Sequence, residues 1–323
     1  MRYFATYFDI HYAARAACLL ESLAEHAPDF RLYALCLDEA SFGRAAGWGN
    51  ERVVPMGLPD LEAAVPELAA VKPVRTRLEY YYTCGPAFLS RIMDLEPGID
   101  VLTYLDADLY FLSDPMPLFR ELEGHSIGVV PHHQPARRKG IWQGIYNVGW
   151  INFRRDAEGR ACLEWWKARC LEWCFERYED GKYADQLYLD QWPGLFPGFH
   201  AITHHGANVG AWNVRDYRFS LREGRVHADD DPLIFYHFHG FKKIAGRIYD
   251  TNLGLSLRPP GRTLKRHVFL KYIRRLEHFS AGGDPTASIR RYRARHHVAK
   301  SLGRLALGIV FRQYMFVRKE RPA

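Results

Sequence analysis

Short apolar runs alternate along this chain with longer segments whose apolar residues return at helical spacing, and that alternation confines it to an α/β fold. Tyr3–Phe8, Phe30–Leu37, Arg52–Pro55, Val101–Leu105, Ser126–Val130 and Tyr146–Phe153 read as strands. Tyr12–His26, Thr76–Leu95 and Ala161–Tyr178 read as helices, the last because Leu163, Trp166, Cys170, Trp173 and Cys174 recur at helical spacing. The expected fold is therefore a parallel or mixed sheet with helices on both faces. In such sheets ligands sit outside the carboxyl ends of the strands.

One of those ends carries unusual chemistry. Val101-Leu-Thr-Tyr-Leu105 has the composition of a buried strand and runs directly into Asp106-Ala107-Asp108. An unpaired carboxylate removed from water is costly, so two of them call for a cation. Carboxylate oxygens suit Mg2+ and Mn2+, ions that keep positions open for substrate phosphates. A bare Asp-x-Asp also makes ordinary turns; the buried-strand context and the partners further along favour the metal.

Four other groups stand at comparable places. Asn147 and Gly149 open the strand Tyr146–Phe153, where an amide can both donate to and accept from a sugar hydroxyl, or can simply initiate a strand with a bulge at the glycine. Asp185 and Gln186 precede an apolar segment, so Asp185 reads either as a helix N-cap or as a site carboxylate. His237 follows the strand-like run Leu233–Tyr236 and can complete a site begun by two carboxylates. Gly240 allows close backbone approach, and Lys242 or Lys243 can neutralise a phosphate. Aromatic residues around Trp142–Trp150 and Trp212 read as acceptor platforms or as packing.

Composition limits the alternatives. With 323 residues, 48% of them hydrophobic, the chain can bury one large core. The six cysteines have no zinc-type spacing, which predicts buried thiols in a reducing cytoplasm. The start lacks a basic and then apolar leader, and nothing resembles a membrane span, so the expectation is a cytoplasmic protein. The net charge of +7 averages two unlike parts: from Arg262 onward 16 Lys and Arg face 3 Asp and Glu, whereas the first 261 residues hold 28 against 34. With the breaker Arg258-Pro-Pro-Gly261, this predicts a body over 1–261 and a basic helical C-terminal extension over 262–323. The extension reads in two ways. It is a helical cap packed on the body, or a peripheral anchor on an anionic leaflet at the inner face of the plasma membrane, with Leu302–Val317 lying in the interface.

Together these residues resemble glycosyltransferases of the GT-A fold, and most of all the retaining family 8 group that includes glycogenin and lipopolysaccharide galactosyl- and glucosyltransferases. The similarity covers roughly residues 1–250. His237, Gly240 and Lys243 match the family's H-x-x-G-x-x-K, while Asn-Val-Gly stands in place of its usual Asn-Ser/Ala-Gly, and the Pro-Trp that often follows the last motif is missing. The resemblance implies that Asp106, Asp108 and His237 ligate Mn2+ or Mg2+, and that Asp106 and Ala107 with Gly240 and Lys243 hold the diphosphate of a UDP-sugar. It places Thr6, Tyr7, Asp9 and Tyr12 on the nucleotide side, Arg75 and Arg77 near the diphosphate, Asn147 and Gly149 beside the sugar, and Asp185 or Gln186 near the anomeric carbon. It implies hexosyl transfer, with retention, to a glycan or lipid-linked acceptor in bacterial surface polysaccharide or lipopolysaccharide synthesis. Two rivals stand beside it. A sugar-nucleotide nucleotidyltransferase needs a Gly-rich loop that Phe8–Tyr12 does not supply. A nucleic-acid binder using the basic tail lacks a reader motif over an acidic body, so no nucleic acid is expected.

Overall fold

The computed structural model describes residues 1–133, 143–253, 261–280 and 314–316. Among these, seven strands form one mixed sheet. They are β1 (Arg2–Phe8), β2 (Phe30–Cys36), β3 (Val53–Gly57), β4 (Val101–Leu105), β6 (Ile127–Pro131), β7 (Tyr146–Arg154) and β8 (Phe199–Ala201). The order is β3-β2-β1-β4-β7-β6-β8. β1 runs parallel to β2 and β4, and β7 runs antiparallel between β4 and β6. The chain leaves β1 toward β2 on one side and leaves β4 toward the other. The carboxyl ends of β1 and β4 therefore flank a topological switch point, the crevice where open α/β sheets bind ligands.

Alternating side chains assign the two faces. Ala5, Tyr33, Tyr104 and Ile151 join one core with the helices Arg77–Leu95 and Ala157–Glu172. Phe4, Leu32, Leu105 and Trp150 join another with the helix Ala13–His26. All six cysteines are buried and free.

Helix Arg77–Leu95 starts as its sequence predicts, with Thr76 and Glu79 forming a reciprocal capping box. The expectation for Ala161–Tyr178 is corrected. That helix runs Ala157–Glu172, capped one turn earlier by Asp156, whose carboxylate accepts from Gly159 N–H at 2.7 Å. It ends because Trp173 turns extended and the Arg75 guanidinium takes the Leu171 and Cys174 carbonyls, each at 2.8 Å. The N-cap reading of Asp185 is also corrected: the short helix that follows, Leu187–Gln191, has Gln186 at its N-cap and no side-chain cap.

Beyond the main sheet, β5 (Leu109–Phe111) pairs antiparallel with β13 (Phe235–His237), which pairs parallel with β9 (Val209–Gly210). β10 (Phe219–Arg222), β11 (Arg225–Ala228) and β12 (Asp231–Pro232) form a small antiparallel sheet. β14 (Lys242–Ala245) and β15 (Ile248–Asp250) make a hairpin, to which β16 (Tyr314–Phe316) adds a third strand.

The start of the basic segment packs on the body. Leu264, Val268, Phe269, Tyr272, Ile273 and Leu276 are buried with Ala14, Tyr110, Tyr236 and Phe238. Two of its cations are matched across the helix pair, Lys271 with Glu25 at 3.0 Å and Arg275 with Glu21. Within the stretch expected to lie in a membrane interface, Tyr314–Phe316 is instead a strand with Met315 buried, because the edge of β15 offers backbone partners. The rest of Leu302–Val317 lies outside the described residues. Among those described, no helix is long and apolar enough to cross a membrane.

Candidate active site

Backbone pairing builds the acidic centre. Where β4 ends, Asp106 N–H donates to Gly149 O of β7 at 3.1 Å, and Leu109 N–H donates to Asp106 O at 3.2 Å, closing a tight turn into β5. β5 then brings Leu109 opposite His237, and Phe238 N–H donates to Asp108 O at 3.0 Å. His237 Nε2 thereby lies 3.1 Å from Asp108 Oδ1 and 3.4 Å from Asp106 Oδ2.

The surroundings hold these groups in one arrangement. His237 is 2% exposed, and its Nδ1 lies 3.3 Å from the side-chain oxygen of buried Asn208. A carboxamide oxygen only accepts, so Nδ1 carries a proton and Nε2 is the nitrogen turned to the carboxylates; burial pulls the ring's pKa down, but Asp108 and Asp106 outweigh it and raise it. Despite the short distances, Nε2 makes no hydrogen bond and is a buried orphan. The Tyr104 hydroxyl donates to Asp106 Oδ1 at 2.8 Å. Burial raises the Asp106 pKa against the pull of His237. For Asp108 burial also pushes upward, but His237 outweighs it and holds the carboxyl down at about 2. An orphaned imidazole nitrogen facing two carboxylates fits a divalent cation. His239, two residues on, places a ligand atom within 4.8 Å of those of Asp108 and His237.

Gly149 makes this approach possible. A Cβ there would stand 2.6 Å from Asn147 Oδ1 and 2.9 Å from the His237 ring. Gly149→Ala is expected to cost about 1–3 kcal/mol and to lower affinity for Mn2+, read by denaturant melts and metal titration. A variant matching the parent in both would show that the ring does not need this gap.

Asp185 and Gln186 close another side. Asp185 is 5% exposed; burial, reinforced by the Asp106 charge, pushes its carboxyl up to about 8. Its backbone is held by Trp166 Nε1, which donates to Asp185 O at 2.8 Å, and follows Ala184 at φ +47°, a left-handed conformation that alanine adopts only when its surroundings compel it. The Asn147 amide is committed internally. Its Nδ2 serves Gln186 Oε1 at 3.2 Å and His132 Nε2 at 3.3 Å, and its Oδ1 accepts from Gly149 N–H at 3.0 Å. His132 Nδ1 faces Ile145 O at 3.2 Å, which leaves Nε2 as the acceptor; burial holds its pKa down at about 4, so the ring is neutral. Asn147 therefore positions Gln186, whose own Nε2 donates to Gln143 O at 2.7 Å.

The other expected residues divide. Asp9 accepts from His11 and Tyr12 N–H at 3.0 and 3.2 Å, and Arg77 reaches to 3.8 Å from its carboxylate. Tyr12 is 42% exposed beside them. Tyr7 lies against Tyr104, with ring centroids 5.5 Å apart, while Thr6 is wholly buried and Ala107 packs into the core with Phe8 and Ala34. Arg75 is corrected: its Nη2 donates to Leu171 O in the last turn of helix Ala157–Glu172 and its Nη1 to Cys174 O just past the helix end, while Nε has no partner among the described residues. Lys243 has its ammonium 3.8 Å from Glu277. Gly240 adopts φ +68° with Asn252 packed where a Cβ would go. Arg15, 6% exposed, donates to His11 O at 3.3 Å and Phe241 O at 2.9 Å, tying the β1 side to the loop after His237. Of the two readings for Trp150, platform or packing, the structure shows packing, since it is fully buried; Trp142 lies outside the described residues, and Trp212 stands nearly perpendicular to the His237 ring at 5.1 Å.

Sequence reasoning did not single out Tyr104, His132, Asn208 or His239. For His239 a signal existed, the His-x-His spacing at a strand end. Tyr104, His132 and Asn208 act through contacts that no local pattern announces.

No family model matches this chain. It is 32% identical over 263 residues to an uncharacterized protein, YfnD, of Bacillus subtilis strain 168, covering 80% of this chain and 83% of that protein. It is 35% identical over 240 residues to YfnF of the same organism, also uncharacterized, covering 72% and 78%. Among solved structures it is similar to the galactosyltransferase LgtC in complex with donor and acceptor sugar analogues, with a TM-score of 0.51 at 16% identity, over 85% of this chain and 95% of that one. The fold is GT-A.

Proposed function

Starting from a chain that belongs to the family of Bacillus subtilis YfnD and YfnF and has a GT-A fold, we propose that it is a metal-dependent glycosyltransferase. In this reading it moves a hexose from a UDP-sugar to a glycan or lipid-linked acceptor, with retention, as family 8 enzymes do. The observation that carries it is the meeting of Asp106, Asp108 and orphaned His237 at the switch-point crevice, with Asp185 buried close enough to feel the Asp106 charge.

Asp106, Asp108 and His237 would hold a divalent cation, which supplies positive charge against that developing on a diphosphate leaving group. Asp9 and Tyr12 receive the nucleotide side, and Arg77, 3.8 Å from the Asp9 carboxylate, stands near the diphosphate. Asn147, anchored by neutral His132, fixes the Gln186 amide beside Asp185, so that these two face the sugar and steady oxocarbenium character at the anomeric carbon. Lys243 reaches the diphosphate by exchanging Glu277 for phosphate. The catalytic unit takes in residues 1–261 together with the packed turns up to Phe279, and the remaining basic segment serves an anionic surface in bacterial surface polysaccharide or lipopolysaccharide synthesis.

The test is a panel of UDP- and GDP-sugars with Mn2+ or Mg2+. Metal-dependent hydrolysis of a UDP-sugar is the expected result, and an α-linked donor should give an α-linked product by NMR. A β-linkage would rule out retention, and no metal-dependent turnover of any sugar nucleotide would remove the transferase reading.

A further inference from the structure

The cation centre expected from the strand-end motif has one imidazole and two carboxylates. The side chains bring a second imidazole to it. His239 stands two residues beyond His237, in the tight turn that Phe241 N–H closes on Phe238 O at 3.0 Å. The two rings lie 5.9 Å apart at 87°, and the Trp212 ring lies beside both, its centroid 5.1 Å from that of His237 and 6.2 Å from that of His239. One ligand atom from each of Asp108, His237 and His239 lies within 4.8 Å of the other two. Around an ion with bonds of about 2.0–2.2 Å, neighbouring ligands stand about 3 Å apart and opposite ones about 4.2 Å. Small side-chain rotations therefore suffice to bring all three onto one ion.

The backbone at His239 is fixed and its ring is not. Asn252 Nδ2 donates to His239 O at 3.0 Å, and Gly240 at φ +68° fits the turn tightly against Asn252. The imidazole is exposed and, among the described residues, accepts or donates no hydrogen bond, so it turns toward an ion at little cost. Asp106 is placed differently, with Oδ1 taken by the Tyr104 hydroxyl and Oδ2 left for the centre.

We infer that His239 is a metal ligand, giving this centre two imidazoles with Asp108 and Asp106, and that the centre consequently selects Mn2+ and similar borderline ions over Mg2+. Imidazole nitrogen suits borderline transition ions, whereas Mg2+ favours an all-oxygen shell with several waters. Two nitrogens also leave fewer positions for water and diphosphate oxygens. This inference rests on the metal-dependent reading above.

The test uses the full chain with Mn2+ alone, without nucleotide. Electron spin echo modulation of bound Mn2+ should show two histidine nitrogens in the parent and one in His239→Ala. Mn2+ affinity, from the free-ion signal, should fall about tenfold or more in that variant. Discrimination between Mn2+ and Mg2+ in competition should narrow with it. His239→Asp should recover Mn2+ affinity while showing one nitrogen. Because His239 is exposed, its variants should melt like the parent. A single nitrogen in the parent, with His239→Ala binding Mn2+ as tightly, overturns the assignment and leaves the metal-dependent reading standing. A parent that binds no Mn2+ overturns both.

Discussion

Asp108→Asn should lower turnover of the sugar nucleotide by about a hundred- to a thousandfold while the secondary structure stays intact. The substitution keeps the shape of the side chain and removes one charge from a centre where His237 holds the carboxyl down at about 2. The turn itself depends on the backbone bond from Phe238 N–H to Asp108 O, which asparagine leaves in place. Stripping metal from the parent with a chelator should produce a comparable loss, and adding Mn2+ should restore the parent but not the variant. Circular dichroism and single-turnover assays are the measurements. An Asp108→Asn protein that keeps near-parent turnover would show that this carboxylate does not serve the reaction.

Asp185→Asn should move activity and stability in opposite directions. Buried beside Asp106, Asp185 holds its proton up to about pH 8 in the metal-free native protein, while in the unfolded chain it ionises near pH 4. Between those values the native state binds the extra proton, so its contribution to stability is complete below pH 4 and is lost as pH rises toward 8. Asparagine never ionises. At pH 8 the variant should be the more stable by on the order of a few kcal/mol, and the gap should close near pH 4. Denaturant melts in chelator across that range read the difference. If Asp185 and Gln186 face the reacting carbon as proposed, turnover should fall about a hundredfold or more. A stability gap that does not change with pH would show that the acid is not held protonated by burial. Normal turnover would show that it only shapes the chain.

The local elements were legible for a simple reason: a buried strand and an amphipathic helix each write their environment into the periodicity of their own residues. Val101–Leu105 has the bounds its composition predicts, and Thr76 caps the helix its spacing announces. The end of helix Ala157–Glu172 was not legible, because it is set by Arg75, nearly a hundred positions away in the chain. The same contact removed Arg75 from the site. Trp150 shows the same limit: an aromatic suits a platform or a core, and packing chose the core. His132 gave no sign of its role, since its effect on Gln186 runs through Asn147.

What the sequence determined by itself is the α/β class, the strand that delivers Asp106 and Asp108 to a carboxyl end, and the uneven distribution of charge. Each is a property of neighbouring residues, so composition and spacing carry it. The tertiary structure alone decided which side chains meet. Pairing of β13 with β5 sets His237 against Asp108, Asn208 fixes which of its nitrogens faces the carboxylates, and the turn after it brings His239 within reach. Those meetings depend on backbone registers between segments far apart in the chain, and a register is set by the whole core that both strands bury, not by the few residues that later share a site.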